Sequence, residues 1–236
     1  MLEAALLAAV LLQLGLRIAG KETVAARVLP LRGGPPFLAW AGRLWLSFGV
    51  PALLGLLVLG RVGSLGTLPP EFAPAAALAR TFGRFEAGPI LTGFVLGSAL
   101  AAGLSWLHVR RGGRPFQLGR PPRLPAAARE LPAAAVLAVS AGVTEELYFR
   151  LLLPLLVAAV TGSAVLGVAV SALLFGAVHR YQGPVGMLAT GLAGLFLGTV
   201  YLASGELWLA MACHATIDLN ALVVRPWLGW RGRPLA

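Results

Sequence analysis

The stretch VSAGVTEELYFRLLLPLLV (139–157) is apolar at most positions, yet it holds Glu145, Glu146 and Arg150 within two helical turns. Apolar runs of about 20 residues match the length a helix needs to cross a hydrocarbon core of roughly 30 Å. An ionisable side chain at that depth costs about 2.5–3.5 kcal/mol on insertion scales, so an intramembrane cluster of them is a functional hypothesis by default.

The remainder of the chain extends the reading. Of 236 residues, 58% are hydrophobic and only 12% charged. A soluble domain carries roughly twice that charge. We count seven candidate spans, at 2–18, 38–60, 88–108, 131–158, 162–179, 184–203 and 206–224. The fourth exceeds a single crossing, so it is expected to tilt, extend beyond the bilayer or break near Pro154. The fold expected is all-α, a polytopic integral membrane bundle of about seven transmembrane spans. Its N-terminal helices and basic loops occupy 1–130, a core with the polar cluster 131–224, and a basic tail 225–236.

The net charge of +10 comes almost wholly from arginine. Arg17, Lys21, Arg27 and Arg32 fall in the first loop. Arg110, Arg111, Arg114, Arg120, Arg123 and Arg129 fall in the third, and Arg225, Arg231 and Arg233 in the tail. Seven spans put these three segments on one side, which the positive-inside rule makes the cytoplasm. The C-terminus is then cytoplasmic and the N-terminus outside. The basic residues of 61–87 conflict with that scheme, and EFAPAAALARTFGRF (71–85) is expected to form a short interfacial helix there. No aromatic-basic pattern points to nucleic acid. The single cysteine, Cys213, lies in an apolar run and excludes an internal disulfide. The N-terminal run lacks a basic leader and reads as a retained span.

The polar residues at membrane depth are few: Glu145, Glu146 and Arg150, then His179, then His214, Asp218 and Asn220. Asp218 is the only aspartate, and His179 and His214 are two of only three histidines. Residues four apart share a helix face, which pairs Glu146 with Arg150, Phe175 with His179 and His214 with Asp218. Glu145 is rotated about 100° from Glu146. The economical division has Arg150 neutralising Glu146 while Glu145 faces a polar cavity. A carboxylate beside an imidazole can take a proton from water, and a second imidazole can donate to an oxyanion. Glu145 with His179 fits the first role, and His214 oriented by Asp218 the second. Taken singly, each pair also reads as plain charge balance or an interhelical clamp. His108 reads as an interface residue, GMLATGLAGLFLG (186–198) as a close-packing surface, and Trp208, Trp227 and Trp230 as interface anchors.

Three motifs then resemble one family. EELYFR (145–150) is similar to EExxxR, FGAVH (175–179) to FxxxH and HATID (214–218) to HxxxD/N of the CAAX-processing and bacteriocin-processing family (CPBP, or Abi) of intramembrane endopeptidases. The resemblance covers about residues 131–224. It implies an all-helical membrane protease with a cavity open to the cytoplasm, acting on a peptide or lipidated peptide at the lipid bilayer. It assigns water activation to Glu145 and His179, the oxyanion side to His214 and Asp218, and support to Glu146, Arg150 and Phe175. Zinc is compatible with two histidines and a carboxylate, but there is no HExxH, and a cofactor-free glutamic mechanism is preferred. Leu151 stands where many bacterial members have glycine, and Asp218 where CAAX-cleaving members have asparagine. An ionised aspartate cannot donate, so Asp218 is expected to orient His214. Two other classes stay open: a non-catalytic scaffold or immunity protein of the same fold, and a proton-coupled transporter.

Overall fold

The computed structural model describes residues 1–20, 36–113, 119 and 123–231, the side chains of 230 and 231 excepted. Lys21, Arg27, Arg32, Arg114, Arg120 and Arg233 lie outside the described residues. Among those described, the chain is helical and has no strand. That is the solution an apolar environment favours, since a helix satisfies its own backbone polar groups.

We label the helices α1 (Leu2–Ile18), α2 (Phe37–Val58), α3 (Ala73–Arg80), α4 (Ala87–Arg110), α5 (131–161), α6 (Ala164–Val178), α7 (Gly183–Ser204) and α8 (207–231). Four helical stretches among the described residues are long and apolar enough to cross a membrane: Phe37–Val58, Ala87–Arg110, Arg180–Ser204 and Leu207–Gly229. The chain is therefore a helical membrane protein with four candidate spans among the described residues, and the expected count of about seven is not confirmed. The other three helices read as spans are shorter or more charged. α6 has 15 residues, about 22 Å at 1.5 Å per residue. α1 has 17, and α5 carries the three ionisable groups.

α5 is the centre of the bundle. Residues Thr144 through Ala158 are all buried, packed by α8, α2, α6 and α1. At the other extreme Ala102 is the one buried residue of α4. That helix is held by the Asn220 side chain, whose Nδ2 donates to the Ser98 carbonyl at 2.7 Å, and by Phe94 stacking on Phe196. Asn220 thus serves as an interhelical clamp.

α5 does not break at Pro154. It widens instead into a π turn over Leu147–Leu152, and the Leu153 N–H reaches back to the Tyr148 carbonyl. The same device recurs before Pro51, after a π turn at Trp45–Gly49, and before Pro226, after one at Asn220–Val224. A proline ring clashes with the carbonyl four residues earlier, and a π turn moves that carbonyl away. The displaced carbonyls find new donors: Gln13 donates to Ser47 O, and Ser171 donates to Phe149 O. Arg150 sits inside the widened turn of α5, so Pro154 shapes the site without touching it. Leu151, in place of the expected glycine, is fully buried beside it.

Residues 61–87 are also settled by packing. A short helix does form there, as α3. Its Ala75, Ala76 and Ala79 are buried against the bundle, preceded by Phe72, which meets Tyr201 edge-on. Arg61 pairs with Glu71, and Arg80 Nε donates to Ala203 O at 3.4 Å. The basic residues that conflicted with the orientation rule are engaged in local contacts. His108 is exposed, as are Trp208 and Trp227, and Cys213 is buried.

Candidate active site

The site begins with two close helix approaches. A Cβ on Gly142 would meet Ala215 N at 2.8 Å and Met211 O at 2.9 Å. Only glycine lets α5 run this near the backbone of α8. One turn later, Glu146 reaches His214: the imidazole Nδ1 and the carboxylate Oε1 are 2.7 Å apart. On the other side, a Cβ on Gly176 would meet Met187 O at 2.8 Å, and one on Gly194 would meet the Phe175 ring at 2.7 Å. The small residues of 186–198 are thus a packing surface, and they bring α7 against Phe175. Gly142→Leu is expected to force α8 outward at a cost of about 1–3 kcal/mol. Thermal unfolding and the loss of activity that depends on the Glu146–His214 contact would both report it.

Glu145 is rotated away from the Arg150 pair and faces the other nitrogen of His214. Its Oε2 stands 3.9 Å from His179 Nε2 and 4.0 Å from His214 Nε2. Its side chain is 8% exposed, against 0% for Glu146. His179 ends α6, and its Nδ1–H donates to the Phe175 carbonyl at 2.8 Å. A neutral ring in that tautomer presents the Nε2 lone pair towards Glu145. Glu146 pairs with Arg150, Nε to Oε2 at 2.9 Å, as the four-residue spacing requires. Arg150 also lies over the Phe175 ring, 4.2 Å from its centroid. Phe175 in turn meets His179 at 4.8 Å and His214 at 6.0 Å, edge-on in both cases. One aromatic ring therefore separates the guanidinium from the two imidazoles and holds all three.

Asp218 departs from its expected role. Its Oδ2 is 3.7 Å from His214 Nε2, beyond hydrogen-bond reach, and its side chain is 28% exposed. The carboxylate that orients His214 is Glu146, on a different helix. Spacing alone favoured Asp218, because an i,i+4 pair is visible in the sequence and an interhelical pair is not. Asp218 stands instead at the open side, next to the nitrogen that faces Glu145.

All seven residues singled out from the sequence, Glu145, Glu146, Arg150, Phe175, His179, His214 and Asp218, form one cluster. Sequence reasoning missed its rim. Tyr181 lies 5.8 Å, ring to ring, from His179, and Phe48 of α2 packs on Tyr148 and Phe149 at 5.1 and 5.2 Å. A tyrosine two residues beyond the motif histidine was the available signal for the first. Phe48 offered none.

Residues 127–220 match the family model described as Type II CAAX prenyl endopeptidase Rce1-like. The segment is similar to that family. The match agrees with the motif resemblance and contains every member of the cluster. No curated protein and no solved structure matches the chain. The matched family is one of endopeptidases. Phe48 and the whole of α1 lie outside the matched segment. Among the described residues, no three His, Cys, Asp or Glu side chains are grouped to hold a metal ion. No step below uses a metal.

Proposed function

We propose that this protein is an intramembrane endopeptidase that hydrolyses a peptide bond near the end of a membrane-associated, CAAX-type peptide. The observation that carries the reading is the position of Glu145 Oε2, 3.9 and 4.0 Å from two imidazole Nε2 atoms. Contacts of that length are the kind a bridging water spans. A water there donates one hydrogen to Glu145 and the other to His179. Glu145 takes the proton as the water oxygen bonds to the scissile carbonyl carbon. The carbonyl electrons move to its oxygen, and His214, doubly protonated, donates to that oxyanion through Nε2. Glu146, Glu145 and Asp218, within 4.0 Å of the ring, supply its counter-charge. The carbon–nitrogen bond then breaks, and the departing amine recovers the proton from Glu145.

Arg150 and Phe175 hold this arrangement and take no proton. The orientation with the C-terminus in the cytoplasm of a multi-pass cell-membrane protein belongs to the same reading. In it the end of α1 and the turn after His179 share the cytoplasmic end, and Gly20 does lie against the Arg180 guanidinium.

The test is cleavage of a peptide panel, prenylated and plain, by the purified full chain in detergent, with and without a chelator. Cleavage of prenylated peptides that persists in chelator is the expected result. No cleavage of any member removes the endopeptidase reading, and cleavage lost with chelator removes the metal-free steps.

A further inference from the structure

The last turn of α1, outside the matched segment, carries a cation that none of the steps above uses. The Arg17 guanidinium lies 4.8 Å from the centroid of Phe48, the ring that packs on Tyr148 and Phe149 beside the paired glutamates. It is half-buried. It is within electrostatic reach of Glu145, Tyr181 and His179. Yet among the described residues no carboxylate stands at ion-pair distance from it. Gly20, at φ +73°, ends α1 in the left-handed conformation that glycine adopts without strain. A Cβ there would collide with the Arg180 guanidinium. The end of α1 is thereby set against the turn that carries His179, Arg180 and Tyr181. Arg17 and the exposed Arg180 are thus brought to the same end of the bundle as His179.

A peptide with a free C-terminus brings a carboxylate towards a cluster that already holds Glu145, Glu146 and Asp218. Like charges repel it, and Arg150 offers no relief because it is buried and paired with Glu146. A guanidinium near the reacting carboxylate, and not bonded to it, leaves a place for a second anion. Its fork of donors matches a carboxylate in a bidentate pair.

We propose that Arg17, with Arg180 beside it, binds the free C-terminal carboxylate of the substrate peptide. This rests on the endopeptidase reading and deepens it: a residue of α1, outside the matched segment, holds the end of the peptide whose bond is cut. Arg17 is a specificity-determining residue that acts on binding and not on the proton transfers.

The experiment uses the purified full chain in phosphatidylcholine vesicles. Its substrate is a peptide cleaved in the panel, prepared as the free acid and as the C-terminal amide. For the wild type, amidation is expected to raise KM about tenfold with kcat little changed, the scale of one charge-assisted contact. Arg17→Gln is expected to raise KM for the acid by the same factor, and amidation then adds nothing. Arg17→Lys, which keeps the charge, is expected to restore part of the discrimination. Equal KM values for acid and amide in the wild type overturn the inference and leave the endopeptidase reading intact, even if Arg17→Gln fails to fold. Discrimination that persists in Arg17→Gln also overturns it. If exchange for phosphatidylglycerol vesicles shifts acid and amide alike, and only when Arg17 is present, Arg17 binds a lipid phosphate and the inference falls. No cleavage of either form by the wild type removes the endopeptidase reading and this inference together.

Discussion

Glu145→Gln is expected to lower kcat by about 10²–10⁴-fold, the range that a positioned general base contributes, with KM close to that of the wild type. The substitution keeps the size and shape of the side chain and removes its charge and its capacity to take a proton. Little else should change. The two contacts of the Glu145 carboxylate with His179 and His214 are 3.9 and 4.0 Å long, so no direct hydrogen bond to either ring is lost. Thermal unfolding of the variant should fall within about 0.5 kcal/mol of the wild type, as for substitutions that break no buried network. The pairing of a large kinetic loss with an unchanged melting curve is what separates a base from a structural carboxylate. A variant that cuts at the wild-type rate takes Glu145 out of the chemistry and leaves the cluster as charge balance. A variant that does not fold would show that the carboxylate holds α5, α6 and α8 together, a role its contact distances argue against.

The sequence showed the members of the cluster more fully than their connections. Pairs on one helix were legible, since spacing alone puts Arg150 a turn beyond Glu146 and His179 a turn beyond Phe175. Contacts between helices were not. That Glu146, and not Asp218, orients His214 depends on Gly142 letting α5 meet α8 backbone to backbone, and a lone glycine in an apolar run does not reveal what it approaches. Helix character was legible across the described residues, and four of the seven stretches read as spans coincide with helices long and apolar enough to cross a membrane. Hydropathy marks a stretch as apolar without stating whether lipid or protein covers it. α5 is apolar and buried as the core, whereas α4 is as apolar with only Ala102 buried. Pro154 was read as a point where α5 might break, as a proline in a helix suggests. The preceding carbonyls had partners in Ser171 and the π turn, and the helix ran on. Arg17 was read as one of the loop arginines that set orientation, and its place over Phe48 became visible only in the folded chain.

The second large effect is expected at Glu146, which has two jobs that substitutions can separate. It neutralises Arg150 at 2.9 Å and accepts from His214 at 2.7 Å, with its own side chain fully buried. Glu146→Met leaves a buried guanidinium without its counter-ion, and breaking one side of a buried pair costs about 3–5 kcal/mol. The single variant should therefore unfold at a lower temperature and be inactive, a result that alone says nothing about mechanism. Adding Arg150→Met removes the stranded charge. A buried ion pair exchanged for apolar side chains of similar volume is commonly neutral or stabilising, so the double variant should regain most of the stability. Its activity should stay low, by about 10²–10⁴-fold, because His214 Nδ1 has lost the acceptor that fixes the ring, the kind of loss seen when an orienting carboxylate is removed from a catalytic histidine. Unfolding in detergent and kcat on the same preparation decide between the two jobs. Recovery of both would reduce Glu146 to the counter-ion of Arg150. Failure to recover stability would instead assign the guanidinium a packing role through the Phe175 ring, 4.2 Å from its Cζ, and make that ring, with the two imidazoles edge-on to it, the element that positions the site.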